Sequence, residues 1–178
     1  VRLRFAPKPD KDVPPLREGL IDLAVGVLGE SGTEVRVQAL YRDRFVGVVR
    51  PGHALLAGGP VTPERFAACA HVVTSRHGRT EGPVDDALAS HGMARQAAII
   101  VPSFSTALAV AAETDLVALV PLSYFEHLRT RGTLCPIELA LEVPPITVSQ
   151  MWHPRFDKDP AHRWLRGIVL DVCRPRGG

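Results

Sequence analysis

Residues 40–55 read LYRDRFVGVVRPGHAL, and their middle decides the fold. Phe45-Val46-Gly47-Val48-Val49 is a continuous apolar run between Arg44 and Arg50, and Pro51-Gly52 stops it. A strand buried on both faces reads this way, and Pro-Gly is a strong terminator. Strand and helix signals lie on either side of the run. It therefore predicts two small α/β lobes joined by a crossing segment, with a cleft between them. A crossing needs a return, and Pro145-Ile-Thr-Val-Ser-Gln-Met-Trp-His153 supplies a second strand-like run, followed by a helix.

At 178 residues the chain can bury a proper core, and 46% apolar residues with only 6% aromatics suit an interior of Val, Leu, Ile and Ala. A formal charge of +2, with the arginines scattered, lacks the strongly basic balance of a nucleic-acid binder. Cys69, Cys135 and Cys173 form no C-x-x-C pair. Neither a disulfide framework nor a zinc site is expected, and a reducing cytoplasm is. No apolar stretch approaches the roughly 20 residues of a membrane helix, and no signal-peptide core is visible.

Before the crossing, Val1, Leu3 and Phe5 alternate as a half-buried strand. Asp12 opens a short helix that Gly19 ends, Leu20–Val27 reads as a buried strand, and Val35, Val37 and Ala39 alternate toward the crossing. After it, strands are expected near His71–Ser75, Gln96–Val101, Leu116–Val120 and Leu134–Leu139. Helices alternate with them: one capped by Thr62, one over Pro83–His91, one capped by Ser103 or Ser105, and one from Pro121 to about Arg131. Such alternation implies a mainly parallel sheet with right-handed crossovers in the second lobe. The last helix has Asp159 as N-cap, and Ala161, Trp164, Leu165, Ile168, Val169 and Val172 form its apolar stripe, expected to pack on lobe one.

The seven histidines show no metal-ligand spacing and read as turn and surface residues; no metal and no cofactor are expected. Ser75, His77 and Asp85 lack a G-x-S-x-G elbow, there is no P-loop, and Asp85-Asp86 reads as a solvated surface, so no enzyme is expected. The informative places are two strand-to-helix junctions, Thr74-Ser75-Arg76 and Pro102-Ser103-Phe104-Ser105-Thr106. Ligands of open parallel α/β sheets sit beyond the carboxyl ends of strands, where helix N-termini offer free N–H groups. Hydroxyls at Ser75, Ser103, Ser105 and Thr106 with Arg76 suit a carboxylate, while Pro102 and Phe104 offer apolar surface. Ser103 and Ser105 can equally serve as caps. The ligand expected is a small organic acid, aromatic or branched.

Four segments in order resemble one family. Leu16-x-x-Gly19-x-Ile21-Asp22-Leu23-Ala24-Val25-Gly26 is similar to a segment of the effector-binding domain of LysR-type transcriptional regulators. Val48–Leu55 resembles the family's crossing strand and the turn after it, and Thr114–Pro121 its later strand and turn, with Glu113-Thr114-Asp115 where many members have glycines. Trp152-His153, Asp159-Pro160 and Trp164-Leu165 resemble the C-terminal pattern of one subgroup. The resemblance implies a two-lobed, periplasmic-binding-protein-like (type 2) α/β fold. Each lobe is a mixed, mainly parallel sheet flanked by helices, with two crossing strands between them. Residues 1–46 with 153–178 would form lobe one and 47–152 lobe two. It also implies a fragment: a helix-turn-helix domain that contacts promoter DNA, a linker, and the first strand and helix of lobe one would precede Val1. Lys8 would match a pocket position. A cytoplasmic homodimer or higher homo-oligomer, pairing Val1–Phe5 with the Pro83–His91 region of its partner, is implied as well. A stand-alone solute-binding protein of the same architecture is the alternative, and neither reading involves a membrane.

Overall fold

The computed structural model describes residues 2–6, 14–28, 34–75, 78–128 and 134–174. The chain divides into two compact units, Val1–Asp43 with Ile146–Gly178 (unit 1) and Arg44–Pro145 (unit 2). It passes from one to the other at Asp43–Arg44 and returns at Pro145–Ile146. Residues 44–46 thus fall in unit 2 and residues 146–152 in unit 1.

Unit 2 is built on a five-stranded sheet of order β5-β4-β6-β3-β7, formed by β3 (Phe45–Val49), β4 (Ala70–Thr74), β5 (Gln96–Val101), β6 (Val117–Pro121) and β7 (Cys135–Ile137). Strands β4, β5 and β6 pair in parallel, whereas β3 is antiparallel to both β6 and β7. Val46, Val48 and Val49 are 0% exposed, as a run buried on both faces requires. Gly47 holds the closest approach: a Cβ there would lie 2.5 Å from Cγ1 of Ile137 on β7, so only glycine lets the two strands meet.

One core joins Val46, Val48, Val72, Val101 and Val120 to Ala107, Leu108 and Ala111 of α4 (Phe104–Glu113) and Phe125 of α5 (Leu122–Leu128). The other joins Val49, Leu55, Val117 and Ile137 to Phe66 of α2 (Pro63–Ala67) and to Val84 and Leu88 of α3 (Pro83–Ala89). Pro121 ends β6 rather than opening α5, and Arg129–Arg131 lie outside the described residues. The expected Thr62 cap accepts the Arg65 N–H at 3.3 Å.

Unit 1 corrects the sequence reading in four places. Its sheet, order β1-β8-β2, pairs β1 (Ala24–Val27) and β2 (Arg36–Asp43) each antiparallel with β8 (Ile146–Trp152). The expected parallel neighbours are separated because the returning strand inserts between them. Strand β1 is also shorter than Leu20–Val27. The helix α1 (Pro14–Glu18) ends at Gly19 with φ +78°, and Leu20 and Ile21 donate back to the Pro15 carbonyl, which leaves Leu20 exposed. Residues 2–6 form no strand, and Phe5 is 91% exposed; an alternating pattern without a neighbouring strand has no hydrogen-bond partner to fix it.

The fourth correction concerns the last helix, α6 (Pro160–Cys173), capped as expected by Asp159, whose carboxylate accepts the His162 N–H at 2.6 Å. It belongs to unit 1, but Trp164 is 54% and Val172 77% exposed. Polar contacts set its rotation. Gln150, fully buried on β8, donates to Gln38 Oε1 at 2.7 Å and to the Arg166 carbonyl at 3.2 Å. The Arg166 guanidinium lies 4.3 Å from the Trp152 ring centroid. Arg166 Nη1 donates to His162 Nδ1 at 2.7 Å, so that ring nitrogen is the acceptor and Nε2 carries the proton given to the Asp22 carbonyl at 2.9 Å. With His162 and Arg166 turned inward, the expected stripe falls on a flank.

The histidines are likewise not all surface residues. His53, at 4% exposure, accepts the Leu55 N–H on Nδ1 and reaches the Asp115 carbonyl at 3.1 Å, tying the turn after β3 to the segment before β6. His71 is fully buried against the Phe66 ring, with Nε2 3.0 Å from the Phe66 carbonyl. Asp85 is no solvated carboxylate either: it takes a bidentate bond from the buried Arg95 at 2.7 and 2.8 Å.

Burial, and then the Arg95 charge, push the His71 imidazole down to about 4. The folded protein thus refuses a proton that the unfolded chain accepts near 6.5. This contribution is complete above pH 6.5 and is lost as pH falls toward 4. Urea unfolding is expected to show up to about 3 kcal/mol of lost stability over that window from His71. In His71→Gln, which keeps a donor toward Phe66, that part of the slope disappears; an unchanged slope would refute the assignment.

Candidate functional site

Strands β4 and β5 end side by side, with Thr74 opposite Val101, and the Ser75 N–H continues the pairing by donating to the Val101 carbonyl at 2.8 Å. Ser75 and Pro102 are therefore neighbours at the carboxyl ends of two parallel strands. The chain turns at Pro102-Ser103 into α4. Ser103 is extended (φ −146°, ψ 154°), as an N-cap must be, and its Oγ accepts the Thr106 N–H at 3.2 Å.

The Ser103 hydroxyl also lies 2.8 Å from Ser105 Oγ and 2.9 Å from Thr106 Oγ1. A hydroxyl has one proton and two lone pairs. With one lone pair taken by the Thr106 N–H, Ser103 donates to one neighbour and accepts from the other. The neighbour that accepts keeps its own proton free. Ser105 and Thr106 are exposed, so that donor faces outward. The N–H groups of Phe104 and Ser105 in the first turn of α4 have no intrahelical partner by construction. Donors from three residues and the positive end of a helix thus share one place.

Of the residues expected from the sequence, Ser103, Ser105 and Thr106 are joined by hydrogen bonds, Phe104 sits among them, and Pro102 and Ser75 adjoin through Val101. Lys8 and Arg76 lie outside the described residues, as does His77 of the Ser75–His77–Asp85 trio. Two residues escaped the sequence reading. The Phe104 ring meets Phe45 edge-on, centroids 6.5 Å apart, and Tyr124 at 5.8 Å. Phe45 and Tyr124 come together because Phe45 pairs with Pro121 and the Leu122 N–H donates to the Arg44 carbonyl at 2.8 Å. No local signal in the sequence carries that pairing.

A separate groove of about 400 Å³ lies over the second core, between Leu55–Val61 and Ile137–Ala140. Its one carboxylate, Glu138, is taken by Arg44 at 2.6 and 2.9 Å, a bond that lowers the carboxyl below its usual range. Among the described residues no three His, Cys, Asp or Glu side chains gather as metal ligands, and no helix is long and apolar enough to cross a membrane.

Residues 1–174 match the family model of the LysR substrate binding domain. The chain is 35% identical over 163 residues to the HTH-type transcriptional regulator SyrM of Rhizobium meliloti (strain 1021), covering 91% of this chain and 50% of that one. Among solved structures, the probable transcriptional regulator PA0477 from Pseudomonas aeruginosa superposes with a TM-score of 0.81 at 29% identity, over 94% of this chain and 55% of that one. The effector binding domain of QuiR in complex with shikimate shares the fold, with a TM-score of 0.73 at 14% identity over 92% of this chain and 77% of that one. The chain belongs to the LysR substrate-binding domain family, whose fold is the type 2 periplasmic-binding-protein-like one. It spans about half the length of the regulator SyrM.

Ser103→Ala is expected to lower the stability of unit 2 by about 1 kcal/mol through the lost cap, and Ser105→Ala, which leaves the cap in place, by less than half of that. Denaturant unfolding of the two variants decides; equal losses would mean that Ser103 does not cap α4.

Proposed function

We propose that this chain is the effector-sensing domain of a DNA-binding transcriptional regulator, and that it takes a small organic anion at the first turn of α4. The observation that carries the reading is the Ser103–Ser105–Thr106 hydroxyl cluster at that turn, beside Ser75 at the end of the adjacent strand. Backbone N–H groups, an outward hydroxyl donor and the helix dipole all favour negative charge, and they act together on one carboxylate. Phe104 and Pro102 supply the apolar side. Lys8 and Arg76 are proposed to add countercharge. Binding would bias the two proposed lobes, and thereby a DNA-binding domain, through its differential affinity for their arrangements.

The family and the relative's name, a helix-turn-helix regulator, favour this role over a solute-binding protein or an enzyme. Shikimate, a carboxylate, is the ligand in the QuiR effector domain. The proposed setting is the cytoplasm, with promoter DNA reached through a helix-turn-helix domain. Homodimer formation through the α3 region is also proposed. It is supported by the outer edge of β5, the last strand of its sheet, where Ile99 and Ile100 remain exposed.

Calorimetry on the 178-residue chain tests the ligand class with benzoate against its neutral isostere benzamide. Benzoate is expected to bind more tightly, and Ser103→Ala and Thr106→Val each to weaken it by roughly 1.5–3 kcal/mol, the worth of a charge-assisted hydrogen bond. Equal binding of the amide, or wild-type binding by both variants, would refute the anion site.

A further inference from the structure

Beside the second core of unit 2 lies a polar cluster that the candidate site does not use, and its members come from four elements. His71 lies on β4 and is 0% exposed. Its Nε2 is 3.0 Å from the Phe66 carbonyl of α2. Arg95 stands just before β5 with its side chain 6% exposed, and its Nε and Nη2 donate to the Asp85 carboxylate of α3 at 2.7 and 2.8 Å. The β4–β5 register brings His71 and Arg95 together. His71 pairs with Ala97, so Ala97, and Arg95 two residues before it, share the face of the sheet that His71 occupies. One diagonal step separates the two side chains, which is within the reach of an arginine.

Two atoms of this cluster, His71 Nδ1 and Arg95 Nη1, are buried and have no hydrogen-bond partner among the described residues. They are opposite in kind. A carbonyl only accepts, so His71 Nε2 carries the ring proton and Nδ1 presents a lone pair, whereas Arg95 Nη1 presents N–H groups alone. Buried polar atoms are almost always paired, and an unmet donor close to an unmet acceptor points to a third group shared by both. The charges define that group. Asp85 and Arg95 neutralise each other, and burial keeps His71 uncharged near neutral pH. A cation would meet the guanidinium; an anion would meet the Nδ1 lone pair and the Asp85 carboxylate. What satisfies both atoms is a neutral molecule that gives one hydrogen bond and takes another, and the smallest of these is water. We propose that one buried water bridges Arg95 Nη1 and His71 Nδ1 and completes a polar chain from α3 to α2. The chain runs from Asp85 through Arg95, the water and the His71 ring to the Phe66 carbonyl. It holds the His71 tautomer in place and ties Asp85, in the first turn of α3, to the sheet.

Crystals of the 178-residue chain test this at a resolution where ordered water is visible. A density peak is expected at about 2.7–3.2 Å from both Arg95 Nη1 and His71 Nδ1. Crystals grown in bromide are expected to show no anomalous signal there. In solution, magnetic relaxation dispersion of the water oxygen is expected to lose one long-lived water in His71→Phe and in Arg95→Met, since each change leaves the bridge with a single partner. A map with both side chains ordered and no such peak, a direct Nη1–Nδ1 contact, or a bromide signal at that point would overturn the proposal. A folded His71→Phe or Arg95→Met protein that keeps its full number of long-lived waters would overturn it as well. Should neither variant fold, the wild-type map decides.

Discussion

The close pairing of β3 with its two neighbours is the constraint on which unit 2 depends. Three valines without any exposure, and a glycine whose absent side chain lets Ile137 through, place β3 between β6 and β7. The non-local part of the candidate site, the rings around Phe104, follows from that placement. The antiparallel β3–β6 register sets Phe45 beside Pro121, and so beside the start of α5. The parallel run β5-β4-β6 then leaves the carboxyl ends of β4 and β5 together, where α4 begins. A one-residue slip in β3 would turn its side chains to the other face and separate the rings.

The two units are stabilised differently. Unit 2 has two apolar cores, one on each side of its sheet, and its exposed large apolar residues are few: Leu56, Ile99 and Ile100. In unit 1 the buried apolar cluster comprises Leu16, Val35 and Met151, and much of the rest is polar bonding. Gln150 joins β2, β8 and the α6 backbone. Asp157 accepts the Trp152 indole at 2.8 Å and Arg36 at 3.0 Å, and these bonds lower its carboxyl below the usual range. The Arg155 guanidinium collects the Leu16 and Arg17 carbonyls at the end of α1. Directional groups of this kind fix positions even where little apolar area is buried.

That contrast explains which parts of the structure were legible in the sequence. Where burial decides, the reading is close: the Phe45–Val49 run, the Thr62, Ser103 and Asp159 caps and the Gly19 stop all stand where the residues imply. Where polar contacts decide, it departs. The stripe of Trp164, Ile168 and Val172 has the right period for a buried face, but His162 and Arg166 set the helix rotation, and nothing in the pattern ranks a histidine above a tryptophan as the inward residue. His71 and Asp85 read as surface groups because their partners, Phe66 and Arg95, are brought in by packing rather than by spacing. At the candidate site the hydroxyls were visible as a junction motif. The companions of Phe104 were not, since 59 positions separate Phe45 from Phe104 and only the sheet order joins them.

The site therefore combines a local feature, a capped helix start, with a non-local one, rings gathered by strand pairing. The first leaves N–H and hydroxyl donors at the start of α4; the second packs Phe45 and Tyr124 against Phe104. Amide hydrogen exchange of the 178-residue chain with and without saturating benzoate tests this account most directly. Exchange at Phe104, Ser105 and Thr106 is expected to slow on binding, while the amides of β3 and β6, already held in the sheet, remain unchanged. Slowing confined to the Leu55–Val61 and Ile137–Ala140 groove, with the first turn of α4 unaffected, would contradict it.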